Sequence, residues 1–503
     1  MIRKALFSLC ALVAGLALLE GGARLFELAL GGAPGREAPH GWQATFFSEL
    51  FDWHEPDPDL LWRFRAGLDN PLIRTNNDHL IGDELRPKAP GAVRVVVLGD
   101  SSPVGLGLPS YRQTFATLLE QELVQRTGRE VQLINAAVSG YTSEQVRRFL
   151  EIHGRKLQPD AVVLYCGNND ASVSGPYGDQ QLLEAQRLVG LRRALSHLAM
   201  YRVLRALLAP TRTEDQPGNS LVVRVPPERY AHNLRAIADL CETLRARLYI
   251  CEPPVPLLWP AGLQFKIFRH VTDKSGEVLL PARMREILQR DVQYCLSPAR
   301  FQLLYGDADR ITRAVYSSAA VDTRERGSLE VLLDLSPDRD SSDAVGWNNL
   351  GVQFWTQGAF DSALVCLKRA RTIYMEEFGG NAAVDILAAG SPILFNTGIV
   401  TLSLGPDSLA TVITDSLLAY AWLDSALQAD YFSLRIKREY TKWIRLVADE
   451  KQVTRIDLPA LFSRGGGETL FVDHCHPVAR GHQLIADALA DEITADLTKP
   501  NAD

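Results

Sequence analysis

The seven cysteines contain no Cys-x-x-Cys pair; Cys10, Cys166, Cys241, Cys251, Cys295, Cys366 and Cys475 are dispersed along the chain. That excludes a zinc ribbon and a disulfide scaffold, both of which need clustered cysteines. Scattered thiols of this kind are expected to be buried, and unpaired thiols sit awkwardly with an extracytoplasmic location. Positive charge is not concentrated either. With 53 Lys and Arg against 60 Asp and Glu the net charge is −7, and no basic stripe marks a nucleic-acid footprint. The apolar run over residues 5–19 falls short of the roughly 20 residues a bilayer span needs.

What the chain has is length. Its 503 residues exceed what one core needs, so two or three domains are expected. Four apolar runs break into polar turns: Val95-Val-Val-Leu-Gly-Asp-Ser101, Val131-Gln-Leu-Ile-Asn135, Ala161-Val-Val-Leu-Tyr-Cys-Gly-Asn-Asn-Asp170 and Arg247-Leu-Tyr-Ile-Cys-Glu-Pro253. Val453-Thr-Arg-Ile-Asp-Leu458 reads as a fifth. Runs of this kind separated by helical patterns indicate buried strands of a parallel sheet. In an open α/β sheet the site lies beyond the carboxyl ends of the strands, where these polar breaks fall.

The breaks carry chemistry. Ser101 supplies a hydroxyl, and Phe471-Val-Asp-His-Cys-His-Pro477 supplies a carboxylate and imidazoles. Serine is a weak nucleophile that needs a base within hydrogen-bond reach, itself held by a third group. Asp473 and His476, three residues apart, can meet on a turn. Read one at a time, Gly-Asp-Ser and Gly-Asn-Asn-Asp are ordinary turn sequences. His474-x-His476 beside Asp473 could equally ligate a metal, completed by Asp100 or Asp170.

Together these blocks resemble the SGNH (GDSL-type) hydrolases. Gly99-Asp-Ser-Ser-Pro-Val-Gly105 is similar to the nucleophile block, Asn135-Ala-Ala-Val-Ser-Gly140 to the second, Gly167-Asn-Asn-Asp170 to the third and Asp473-His-Cys-His476-Pro to the last, in family order. The resemblance implies Ser101 as nucleophile, His476 as base and Asp473 as its orienter. It implies the Ser101 and Gly140 backbone N–H groups and the Asn169 side chain as oxyanion donors. Two departures stand out: His474 where many relatives have glycine, and Ser102-Pro103 where a β-branched pair is more usual. No Gly-x-Ser-x-Gly elbow occurs.

The expected fold is therefore α/β: a flavodoxin-like three-layer sandwich with a parallel sheet, carrying a helical insert and an N-terminal membrane helix. The basic Arg3-Lys4 pair ahead of the apolar run, continued to about residue 31, reads as an uncleaved signal anchor. Glu20 and Arg24 would form an i,i+4 pair at its exit. That places the catalytic domain outside the cytoplasm. Residues 32–90 read as a connector, 91–259 and 431–503 as the two parts of the hydrolase core, and 260–430 as the insert. Within it, Trp347-Asn-Asn-Leu-Gly351 and Gly358-Ala-Phe-Asp-Ser-Ala-Leu364 resemble one tetratricopeptide unit. A poorer copy starts at Phe395 and resumes, after a break, at Ala421. A helical arm is expected over 191–208.

The expected activity is hydrolysis of a carboxylic ester, short-acyl or O-acetyl, at the cell envelope. The alternatives are O-acyl transfer to an envelope polysaccharide, and a scaffold built on the insert. Expected partners are an acyl ester of an envelope glycan or lipid, the membrane, and a protein at the insert. No nucleic acid, cofactor or resident metal is called for.

Overall fold

The computed structural model describes residues 53–174, 177–187, 222–261, 344–378, 385–404, 409–430 and 433–498, with residues 19–22, 24, 198–201, 203, 294 and 295. Five parallel strands form the central sheet: β1 (Val93–Gly99), β2 (Val131–Asn135), β3 (Ala161–Tyr165), β4 (Arg247–Glu252) and β5 (Thr454–Asp457). Their order is β2-β1-β3-β4-β5. All four pairings are parallel. The chain thus reverses its winding direction at β1, the kind of point where such sheets open a crevice.

Strand β1 is buried throughout because alternate side chains serve opposite faces. Val95 and Val97 pack with Phe115 and Leu119 of α1 (Phe115–Thr127), Phe462 of α9 (Leu458–Gly465) and Leu489 of α10 (Ala479–Thr498). Val96 and Leu98 pack with Phe149 of α2 (Ser143–Leu157), Ile237 of α3 (Pro227–Leu244) and Ile444 of α8 (Arg438–Lys451). The result is the expected helix–sheet–helix sandwich.

The insert region contributes four described helices: α4 (Ala344–Thr356), α5 (Phe360–Phe378), α6 (Asp385–Ser403) and α7 (Leu409–Ala429). Gly351 of α4 lies against Ala363 and Leu367, and Gly398 of α6 against Ala419 and Leu423. The two helix pairs thus meet in the same way. Helix α7 runs unbroken through Ala421, and no glycine or proline interrupts residues 407–429. Leu258 and Trp259, just past β4, join the apolar cluster of these helices.

Residues 54–64 differ from the irregular connector expected there. His54–Asp57 and Leu61–Phe64 form an antiparallel hairpin, with Trp62 and Phe64 fully buried. Strands this short carry too little alternation to show in the sequence. Most of the anchor, residues 1–18, 23 and 25–31, lies outside the described residues, as does most of the 191–208 arm. Among the described residues no helix is long and apolar enough to cross a membrane. Glu20 does pair with Arg24 at 2.9 Å, and its carboxylate also accepts the N–H groups of Ala199 (2.8 Å) and Met200 (3.0 Å).

Candidate active site

Strand β1 ends at Gly99, and the chain turns at once into a short helical turn over Ser101–Val104. Only glycine fits at 99, where a Cβ would stand 2.1 Å from the Tyr165 carbonyl oxygen. Asp100 caps the turn, its Oδ1 accepting the Ser102 N–H at 3.0 Å. Burial raises the Asp100 carboxyl to about 6, against the pull of the Ser102 N–H, His476 and Asn168. The turn is tied to the next strand: Asn135 Nδ2 donates to the Pro103 carbonyl at 2.9 Å.

Beyond β5 and α9, residues 471–477 fold into a tight loop closed by the Val472 N–H to His476 carbonyl bond, 2.9 Å. The Asp473 carboxylate organises it from within. Oδ1 accepts the N–H groups of Cys475 (2.9 Å) and His476 (2.8 Å), and Oδ2 lies 2.6 Å from His476 Nδ1. His476 Nε2 then stands 2.8 Å from Ser101 Oγ. Hydroxyl, imidazole and carboxylate are in line, with Ser101 and His476 both buried.

Burial alone would raise the Asp473 carboxyl, but His476, His474 and the loop N–H groups outweigh it and hold the group well below the usual carboxylate range. Burial opposes charge on His476; the Asp473 carboxylate beside it wins, and the imidazole is raised above the ordinary 6.5. A base must be neutral to accept a proton, so the acid limb of kcat/KM is expected above pH 6.5, with rate lost as pH falls through it. Asp473→Asn removes the charge that raises His476 and should move the limb to lower pH while slowing turnover. A pH–rate profile of both forms checks this; an unmoved limb would exclude Asp473 as the controlling charge.

The second block is tied to the end of β1, the Val138 N–H donating to the Gly99 carbonyl at 3.2 Å, and the third block is tied to the second. Gly140 turns with φ +80°, a conformation open to glycine. Asn169 Nδ2 donates to the Tyr141 carbonyl at 3.0 Å, which occupies one of its two amide hydrogens. Asn168 has a different job: its Oδ1 accepts the Ile436 N–H at 3.1 Å. Asp170 is engaged elsewhere, Oδ1 accepting the Ser143 hydroxyl (2.6 Å) and N–H (3.0 Å), and burial lifts its carboxyl to about 7. His482, on α10, accepts the Phe115 N–H at 3.0 Å and lies in the core.

Asp473, His474, Cys475 and His476 offer donor atoms within 4.8 Å of one another, a set that omits Asp100 and Asp170. Both ring nitrogens of His476 are already engaged, so a cation there would have to break the contact with Ser101 or with Asp473. Two contributors were not among the residues singled out in the sequence. Trp62 donates to the Ser139 carbonyl beside Gly140, and the buried Arg435 reaches the carbonyls of Pro256 and Trp259. Leu61-Trp-Arg-Phe64, an aromatic pair at period two, was the one available hint of the first.

Residues 97–278 match the family model described as the GDSL-like lipase/acylhydrolase family. The match takes in Ser101, Gly140 and Asn169 and ends before Asp473 and His476. No curated protein matches the chain. Among solved structures, a lipase/acylhydrolase from Enterococcus faecalis is 11% identical, covering 80% of this chain and 96% of its own, with a TM-score of 0.30. The acetylxylan esterase Axe2 from Geobacillus stearothermophilus is 11% identical over 80% and 94%, with a TM-score of 0.30. An alpha/beta hydrolase from the metagenome of Lake Arreo, Spain, is 14% identical over 81% and 97%, with a TM-score of 0.31.

Proposed function

From a chain that carries a GDSL-like lipase/acylhydrolase domain and is a serine ester hydrolase, we propose the finer reading that it cleaves short-acyl esters, with Ser101, His476 and Asp473 as triad. The observation that carries this is the 2.8 Å approach of His476 Nε2 to Ser101 Oγ, with Asp473 2.6 Å behind the ring. In the proposed reaction His476 takes the Ser101 proton as Oγ adds to the ester carbonyl. The Ser101 and Gly140 N–H groups and the second Asn169 amide hydrogen receive the charge on the carbonyl oxygen, and each such donor is worth about a hundred- to a thousandfold in rate. Collapse expels the alcohol, which leaves with the proton from His476. Water then attacks the Ser101 ester with His476 again as base, releasing the acid and free enzyme.

The short-acyl preference rests on the burial of Ser101 and His476, which leaves little open surface beside the nucleophile. Nitrophenyl esters from acetyl to dodecanoyl, assayed with wild type and Ser101→Ala, test both parts. Acetyl and butyryl esters should turn over fastest, and Ser101→Ala should abolish turnover. Dodecanoyl preference would end the short-acyl reading, and full activity without Ser101 would end the assignment of the nucleophile. The envelope location belongs to the same proposal; a carboxy-terminal reporter active only in the cytoplasm would remove it.

A further inference from the structure

Just past β4 the chain passes through residues 256–259, held from two sides by side chains distant in sequence. Glu468 Oε1, in the segment leading into the His476 loop, accepts the N–H groups of Leu257 (2.7 Å) and Leu258 (3.1 Å). From the other side Arg435, 1% exposed, donates Nη1 to the carbonyls of Pro256 (3.2 Å) and Trp259 (3.1 Å) and Nη2 to Asp430 Oδ2 (3.2 Å). The segment is thereby fixed where the insert region begins and ends. What it presents is the buried Trp259 ring, whose centroid is 5.8 Å from that of His474. His474 in turn stands edge-on to His476, at 5.5 Å.

This arrangement matters because two imidazoles compete for one carboxylate. His476 Nδ1 lies 2.6 Å from Asp473 Oδ2, while His474 Nδ1 lies 3.7 Å from Asp473 Oδ1. The second distance exceeds a hydrogen bond, by about half an ångström. The indole lies beside the His474 ring, tilted 54° to it, and His474 is buried. We propose that Trp259 is a positioning residue, which holds His474 away from Asp473 so that the carboxylate serves His476 alone, and that Arg435 fixes Trp259 for this task. Burial agrees with this: it holds His474 down to about 4, facing Asp473, His476 and Arg435, so the ring stays neutral and competes weakly for the carboxylate.

The inference rests on the triad reading, and its test separates the two. Wild type, Trp259→Ala, Trp259→Phe, His474→Ala and Trp259→Ala/His474→Ala are compared on a small acetyl ester, with thermal melts to establish folding and Ser101→Ala as blank. Trp259→Ala should lower kcat by about ten- to a hundredfold, as misplacement of a reacting group does, with KM within about twofold. Trp259→Phe, which keeps a ring against His474, should recover most of the rate. Removing His474 as well should restore turnover to within a few-fold of His474→Ala alone, since the competitor is then gone; such non-additivity marks residues acting through one another. A merely structural role for Trp259 predicts the opposite, a double variant as slow as or slower than Trp259→Ala. That result, or unchanged kcat in Trp259→Ala, overturns the inference. If Trp259→Ala does not fold, Trp259→Leu with and without His474→Ala decides it by the same comparison. Absence of Ser101-dependent turnover in wild type would instead sink the triad reading.

Discussion

His476→Ala should lower kcat/KM for a small acetyl ester by about ten-thousandfold or more, while His474→Ala keeps activity within about tenfold of wild type. Only His476 is placed to pass a proton, 2.8 Å from Ser101 Oγ through Nε2 and 2.6 Å from Asp473 through Nδ1. His474 is 3.7 Å from the same carboxylate, and burial keeps it neutral by lowering it to about 4. Because nucleophile and base act as a unit, Ser101→Ala/His476→Ala should be no slower than either single variant. Steady-state kinetics on wild type and the four variants measure this. Equal losses at 474 and 476, or a larger loss at 474, would transfer the base to His474 and require a different loop geometry in the working enzyme.

The blocks around these residues could be read from the sequence because each couples a strand to a turn. Val95 to Leu98 is apolar and mostly β-branched and ends where Gly99 must lie flat against the Tyr165 carbonyl, so local pattern and tertiary role coincide. The same holds for Ile134–Asn135 and for Tyr165 followed by Gly167. Asp473 and His476 were legible because three residues separate them and their contact is local. What the sequence hid is contact across long separations. Arg435 meets Pro256 and Trp259, and Glu468 meets Leu257 and Leu258, yet neither side chain belongs to a periodic pattern. The hairpin at 54–64 escaped for another reason. Its strands have four residues each, too few for alternation to stand out among Pro56, Pro58 and the neighbouring charges. The similarity between Ser362-Ala-Leu364 and Ser425-Ala-Leu427 does not mark where α7 makes its closest contact. The helix meets Gly398 just ahead of that stretch, at Ala419 and Leu423.

Trp62→Ala should destabilise the protein by about 3–5 kcal/mol, the usual cost of deleting a buried tryptophan. The ring is fully buried, edge-on to Tyr141 at 5.8 Å, with the Arg224 guanidinium 5.8 Å from its centroid. Its indole N–H donates to the Ser139 carbonyl at 3.0 Å, and its own carbonyl accepts the Tyr141 hydroxyl at 2.6 Å. Residue 62 therefore grips both neighbours of Gly140, the proposed oxyanion donor, and stability and turnover should respond separately. Trp62→Phe keeps most of the apolar contact and the backbone carbonyl but leaves the Ser139 carbonyl without its donor. It should cost only about 1–3 kcal/mol, the penalty for one unsatisfied buried group. If that bond sets the turn, Trp62→Phe should nonetheless lower kcat several-fold at temperatures where it is fully folded. Urea unfolding and kcat measured on the same preparations give the two quantities independently. Full kcat in a folded Trp62→Phe variant would mean that the Gly140 turn holds its shape without the indole, and that the hairpin contributes to stability alone.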